Sequence, residues 1–121
     1  MARRLPPSAY VVPIPRGAGR RTAINPFGTD EKITWQIPDG GDENLLRAAQ
    51  LQHRLALRFR TEITNSPWGT TSDLVAESDD LTYDRTRAVL AGDLWMRLDD
   101  ITALSHQLGL HALFGSEARH D

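Results

Sequence analysis

Residues 70–110, TTSDLVAESDDLTYDRTRAVLAGDLWMRLDDITALSHQLGL, carry the densest helix-start and helix-stop signals of the chain. Two short helical patterns flank a tight turn within this stretch, and a third helix follows. Ala76 stands four residues before Asp80, Leu81 and Thr82 come next, and Gly92 follows ten residues after Thr82. Each residue type has a physical reason for its place. A small side chain at Ala76 lets two helices cross closely. Asp80 tolerates the left-handed backbone that would reverse the chain, and the Thr82 hydroxyl is placed to cap the next helix. Thr71 is likewise placed to cap a helix over 72–78, with Leu74 and Val75 turned inward. Gly92 supplies a left-handed stop to a helix over 83–91, and Gly109 closes one over 97–108.

Upstream, Asp42 caps a long helix, with Glu43 favourably placed in its first turn. Leu45, Ala48, Leu51, Leu55, Phe59 and Ile63 recur at spacings of three and four, widened by Leu46, Ala49 and Leu57, which predicts one apolar stripe ending near Thr64, before Asn65-Ser66-Pro67 breaks the helix. Residues 1–31 hold five of the seven prolines and no apolar periodicity. Residues 1–41 therefore read as an extended, partly disordered basic arm. Within it, residues 33–37 alternate apolar and polar side chains as a short strand would. Trp68 is placed to staple the long helix to the next one. Leu110, Leu113 and Phe114 are placed to return over the core, and residues 115–121 read as a frayed tail.

The chain has 121 residues, no cysteine and a net charge of −2. Its length suits one domain with a modest core. The missing cysteines exclude disulfides, thiol catalysis and cysteine-bound zinc. No apolar run is long enough for a membrane span and no export signal is present, so a cytoplasmic address without membrane association is expected. The charge is unevenly distributed. Residues 1–67 carry ten basic and six acidic residues, whereas residues 68–121 carry four and ten.

Residues 70–110 resemble the phage-repressor type of helix-turn-helix, the Cro/C1 or XRE-like family. That family shows a small residue, three further residues, then Gly, an aliphatic, and Ser or Thr. Here these are Ala76, Glu77-Ser78-Asp79, Asp80, Leu81 and Thr82. Its buried aliphatic late in the second helix corresponds to Val89 and its closing Gly to Gly92. Leu98, Ile101, Leu104 and Leu108-Gly109 match its following helix. Two departures are Asp80, where the family prefers Gly, and Thr86, where it prefers an aliphatic.

The resemblance implies an all-α fold. This would be a four- to five-helix bundle over residues 42–114, with its helix-turn-helix unit at 71–91, preceded by the extended arm with one or two short strands at most. It also implies that the opening residues of both helices of the unit face DNA. Carried over by position, Thr71 and Ser72 approach phosphates or a base edge. Thr82 opens the reading helix, Tyr83, Asp84 and Arg87 face the groove, and Arg85 lies beside them. The chemistry fits, because arginine grips guanine with two donors, aspartate accepts from cytosine, and tyrosine reaches a phosphate or a thymine methyl. The structural alternative is that Arg85 and Arg87 are solvated ion-pair residues near Asp79, Asp80 and Asp84. Arg16, Arg20 and Arg21, with Arg3 and Arg4, make the arm either a DNA-backbone contact or an ordinary solubilising tail.

Nothing in the chain has the pattern of a catalytic site. His106 and His111 straddle Gly109 and do not share a helical face, which argues against a metal site. Asp79-Asp80 and Asp99-Asp100 are adjacent pairs that point apart along a helix. Gly17-Ala18-Gly19-Arg20 lacks the Lys-Ser/Thr of a phosphate loop. No cofactor is expected. Trp35, Trp68 and Trp95 lie in three separate segments and read as packing residues, not a stacking platform.

Two functional expectations follow. The first is a sequence-specific transcriptional regulator, a repressor or an activator. It would read the major groove of double-stranded DNA with helix 82–91 as a homodimer, because one such helix reads few base pairs. The second is an acidic helix-turn-helix module that docks a protein partner, antitoxin-like or accessory to the transcription machinery, and does not bind DNA on its own.

Overall fold

The computed structural model describes residues 4–15 and 23–110. The Asp42 carboxylate accepts the Leu45 N–H at 2.8 Å, meeting one of the unpaired donors at a helix start. Helix α1 (Glu43–Thr64) begins there and ends at Asn65. It is followed by α2 (Thr71–Ala76), α3 (Tyr83–Ala91) and α4 (Leu98–Leu108). The molecule is an all-α small bundle, in which α1 packs against α3 and α4, and α2 packs against α3. No helix among the described residues is long and apolar enough to cross a membrane.

The buried face of α1 is rotated from the predicted stripe. Ala49, Gln52, His53, Ala56, Phe59 and Ile63 point inward, while Leu51 is 51% exposed. Hydrogen bonding explains why two polar residues displace leucines from the core. Gln52 Nε2 donates to the carbonyls of Val89 (2.8 Å) and Leu94 (3.0 Å), and its Oε1 accepts the Met96 N–H at 2.7 Å. One side chain thereby engages three backbone groups, one in the last turn of α3 and two in the connection to α4.

The amino-terminal segment corrects the expectation of an extended arm. Tyr10, Val11 and Phe27 are all within 1% of full burial, and a short 3-10 turn spans Pro7–Tyr10. Ser8 donates its N–H to Gly92 O at 2.9 Å, and Trp95 Nε1 donates to Leu5 O at 2.7 Å. Proline density excludes a long helix or strand here, but it does not exclude packing. Aromatic and β-branched side chains on an irregular chain bury as well as those on a regular one. The predicted strand over 33–37 is an extended run with a single bridge between Trp35 and Val11. Val12 N–H to Thr34 O and Gln36 N–H to Tyr10 O hold it in place. Upstream, β1 (Ile14–Pro15) pairs antiparallel with β2 (Ala23–Ile24) for two residues each.

His53 is the anchor on α1 for this segment. Its Nδ1 accepts the Gly28 N–H at 2.8 Å, and its ring meets Phe27 and Trp35 edge-on at 5.4 and 5.5 Å. Gly28 has φ +76°, and a Cβ there would lie 2.2 Å from Leu90 O, so no other residue fits. At Gly92 (φ +81°) a Cβ would lie 2.7 Å from the Phe27 ring. Phe27, Gly28 and Gly92 thus join the amino-terminal segment, α1 and the end of α3.

The tight turn also differs from the prediction. Helix α2 ends at Ala76, and six residues, 77–82, connect it to α3. No non-glycine residue among those described has positive φ, so Asp80 does not reverse the chain in the left-handed region. Ser78 Oγ instead accepts the Asp80 N–H at 3.1 Å and shapes a polar turn. Ala76 is exposed, and Leu74, at 0% exposure, is the residue between the helices. The longer connection removes any need for a left-handed residue or a close crossing at Ala76. Gly92 and Gly109 do adopt the left-handed caps expected of them. Trp68 and Leu110 pack on the core, while Leu113, Phe114 and the tail 115–121 lie outside the described residues.

Candidate nucleic-acid interface

Helix α3 has one face in the core and one in solvent. Thr86, Ala88, Val89 and Leu90 are buried. Thr86, at 2% exposure, occupies the core position where an aliphatic would be more usual. On the outer side Thr82, Tyr83, Asp84 and Arg87 are exposed, with Tyr83 at 46%. Tyr83 and Arg87 are four residues apart and Asp84 and Arg87 three, so the three side chains share one surface. Among the described residues Arg87 makes only a loose contact with Asp93, 3.9 Å apart on exposed side chains. Such a pair costs little to break. Thr82 is the N-cap residue of α3, but its side chain makes no capping hydrogen bond.

Arg85 does not belong to this surface. Its Nε and Nη2 donate to the two carboxylate oxygens of Asp100 at 2.9 and 2.7 Å, and Nη2 also reaches Trp95 O at 3.4 Å. The guanidinium fork matches the carboxylate geometry and ties α3 to the first turn of α4. Burial of Asp100 alone would raise its pKa. The hydrogen bonds from Arg85 and from the Arg97 N–H (2.8 Å) outweigh that and hold it below the usual carboxylate range. In turn Asp100 raises the Arg85 pKa. The spacing places Arg85 beside the groove-facing residues, but the buried carboxylate fifteen positions downstream draws it inward. Nothing local in the sequence signals that partner.

In α2 the cap is Thr70, not Thr71. Thr70 Oγ1 accepts the Asp73 N–H at 3.1 Å, leaving Thr71 as the half-buried first helical residue and Ser72 exposed beside it. A cleft of about 550 Å³ opens between the start of α3 and α4, with Leu81, Thr82, Arg97, Asp99 and His106 in its walls and the Arg85–Asp100 pair at its side. Asp79, Asp80, Asp84, Asp93 and Asp99 are exposed around the same region, so the surface carries mixed charge.

Arg16, Arg20 and Arg21 lie outside the described residues, as does Arg3. Arg4 is engaged within the molecule, its guanidinium 4.8 Å from the centre of the Trp95 ring. His53 is buried, its pKa lowered by desolvation, and it serves as an acceptor inside the core. Among the described residues no three His, Asp or Glu side chains come together as metal ligands would. One basic residue that the sequence reading passed over is Arg60, which lines a small cleft together with Thr70 and Thr71. No protein-family model, no curated protein and no solved structure matches this chain.

Proposed function

We propose that this protein is a sequence-specific DNA-binding regulator that reads the major groove with the outer face of α3. The single observation supporting this is the exposure of Tyr83, Asp84 and Arg87 on one face of a helix whose other face is in the core. An α-helix with an unobstructed polar face fits the major groove, and these three side chains supply a donor fork, an acceptor and an amphipathic ring. Thr71, Ser72 and Thr82 are the neighbouring groups for phosphate contact. The protein acts without a cofactor, in the cytoplasm and as a homodimer, because one helix of nine residues spans too few base pairs for tight specific binding. Selecting bound sequences from random duplex DNA tests the reading. A palindromic consensus is the expected result, and recovery of no consensus from the full chain would refute it.

The second reading is an acidic module that docks a protein partner. The five exposed aspartates 79, 80, 84, 93 and 99 favour it, because they repel phosphate and attract a basic protein face. Failure to retard any duplex at low salt, with one basic protein co-purifying in stoichiometric amount, would decide for this alternative.

A further inference from the structure

Arg60 takes no part in the contacts described above. It projects from the penultimate turn of α1 and is half-buried, and its Nε is shielded from solvent without any hydrogen-bond acceptor. Among the described residues no carboxylate forms an ion pair with its guanidinium, whereas its neighbour Arg58 is paired with Glu62 at 2.9 Å. A partly desolvated arginine without a counter-charge is unfavourable, and that desolvation pulls its pKa down. Two clefts meet at this side chain. One of about 350 Å³ is lined by Thr61, Thr64 and Asn65 among others, and one of about 130 Å³ by Thr64, Thr70 and Thr71. Among the described residues no aspartate or glutamate lines either cleft.

We propose that Arg60 and the threonine hydroxyls around it form a binding site for a phosphate-type oxyanion. The guanidinium offers paired donors in a fork that fits phosphate oxygens, and among the described residues it is the one charged group lining these clefts. Thr70 Oγ1 already accepts from the Asp73 N–H, so its own proton remains available to an anion. Thr61, Thr64 and Thr71 add further hydroxyls from α1 and α2. Occupancy would supply the missing counter-charge. The phosphate comes either from a DNA backbone lying along Thr71 and Ser72 or from a free phosphorylated small molecule. The first source rests on the function proposed above, while the anion site itself does not.

The test is nuclear magnetic resonance of the full chain, following the Arg60 Nε–H and the Thr71 amide. Inorganic phosphate is titrated against chloride at matched ionic strength, and a random-sequence duplex is titrated separately. Saturable movement of both resonances with phosphate but not chloride is expected, and Arg60→Met abolishes it. If the duplex also moves them, the DNA backbone is the source. Arg60→Met then weakens operator and random DNA by the same factor and lowers the slope of log K against log salt by about one. Movement with phosphate alone assigns the site to a free ligand, and it does so even if the chain binds no DNA, the result that would overturn the α3 reading. Equal shifts with phosphate and chloride, or none with phosphate and duplex, overturn the anion site. They would do so while leaving α3 intact if the duplex still binds. The parent titrations decide the matter even if Arg60→Met fails to fold.

Discussion

Phe27 in the amino-terminal segment is 1% exposed, whereas Tyr83 at the head of α3 is 46% exposed. The first lies in a proline-rich stretch with no helical or strand period, the second in a well-formed helix. Regularity of the backbone and burial of the side chains are therefore separate matters in this molecule. The irregular segment wraps over α1 and the end of α3, fastened by His53, Trp95 and the two left-handed glycines, Gly28 and Gly92. That wrapping covers the carboxyl end of α3 and leaves the outer face of its opening turn, with Tyr83, Asp84 and Arg87, to solvent.

The largest effect that would break this contrast is on Phe27. Phe27→Ala should cost about 3–5 kcal/mol in urea unfolding, as a buried aromatic does, while Tyr83→Ala should stay within about 0.5 kcal/mol. A cost below about 1 kcal/mol for Phe27→Ala would return the segment to the status of a loose arm.

The two arginines of α3 sharpen the comparison within one helix. Arg85→Ala should cost about 2 kcal/mol, because it leaves the Asp100 carboxylate buried with only Arg97 beside it. Arg87→Ala should leave stability within about 0.5 kcal/mol. On the DNA-binding reading it should instead lose about 1–3 kcal/mol of binding at one base position in a gel-shift series. Equal melting curves for the two variants would refute the division of roles.

Acidification tests the His53 anchor. Burial lowers its pKa from the ordinary 6.5 and Arg54 adds to this, against an opposing pull from Asp30. The unfolded chain thus takes up the proton first. This contribution to stability is complete above about pH 6.5 and declines as the pH falls from there toward the folded-state pKa. Asp100 acts in the same direction only at lower pH, because its contribution is present above the ordinary carboxylate pKa of about 3.9 and is lost below it. Denaturant unfolding between pH 7 and 5 should therefore show a slope that His53→Asn flattens. Among the variants expected to lose stability, the smallest effect is Arg4→Ala, which should cost about 0.5 kcal/mol through the lost contact with the Trp95 ring. No change at all would mean that the docked segment begins after Arg4.

The four helices were legible because their signals are local. Asp42 caps α1, Gly92 and Gly109 terminate α3 and α4, and Asn65-Ser66-Pro67 ends α1. The candidate surface was legible in part. Tyr83, Asp84 and Arg87 are exposed as the resemblance implies, but Arg85 is drawn to Asp100, Thr70 takes the capping role assigned to Thr71, and Arg60 went unnoticed. The cap is still a local choice between neighbouring threonines, but the surroundings of Arg85 and Arg60 depend on what other segments place nearby.

Capping residues, glycines past helix ends and apolar recurrence act over three or four positions, so the chain's own order determined where its helices begin and stop. Which polar side chains enter the core, which arginine turns inward and how the proline-rich segment folds back were decided only in three dimensions. Those outcomes depend on pairing buried donors, acceptors and charges across tens of residues, and no short-range pattern encodes which partners will meet.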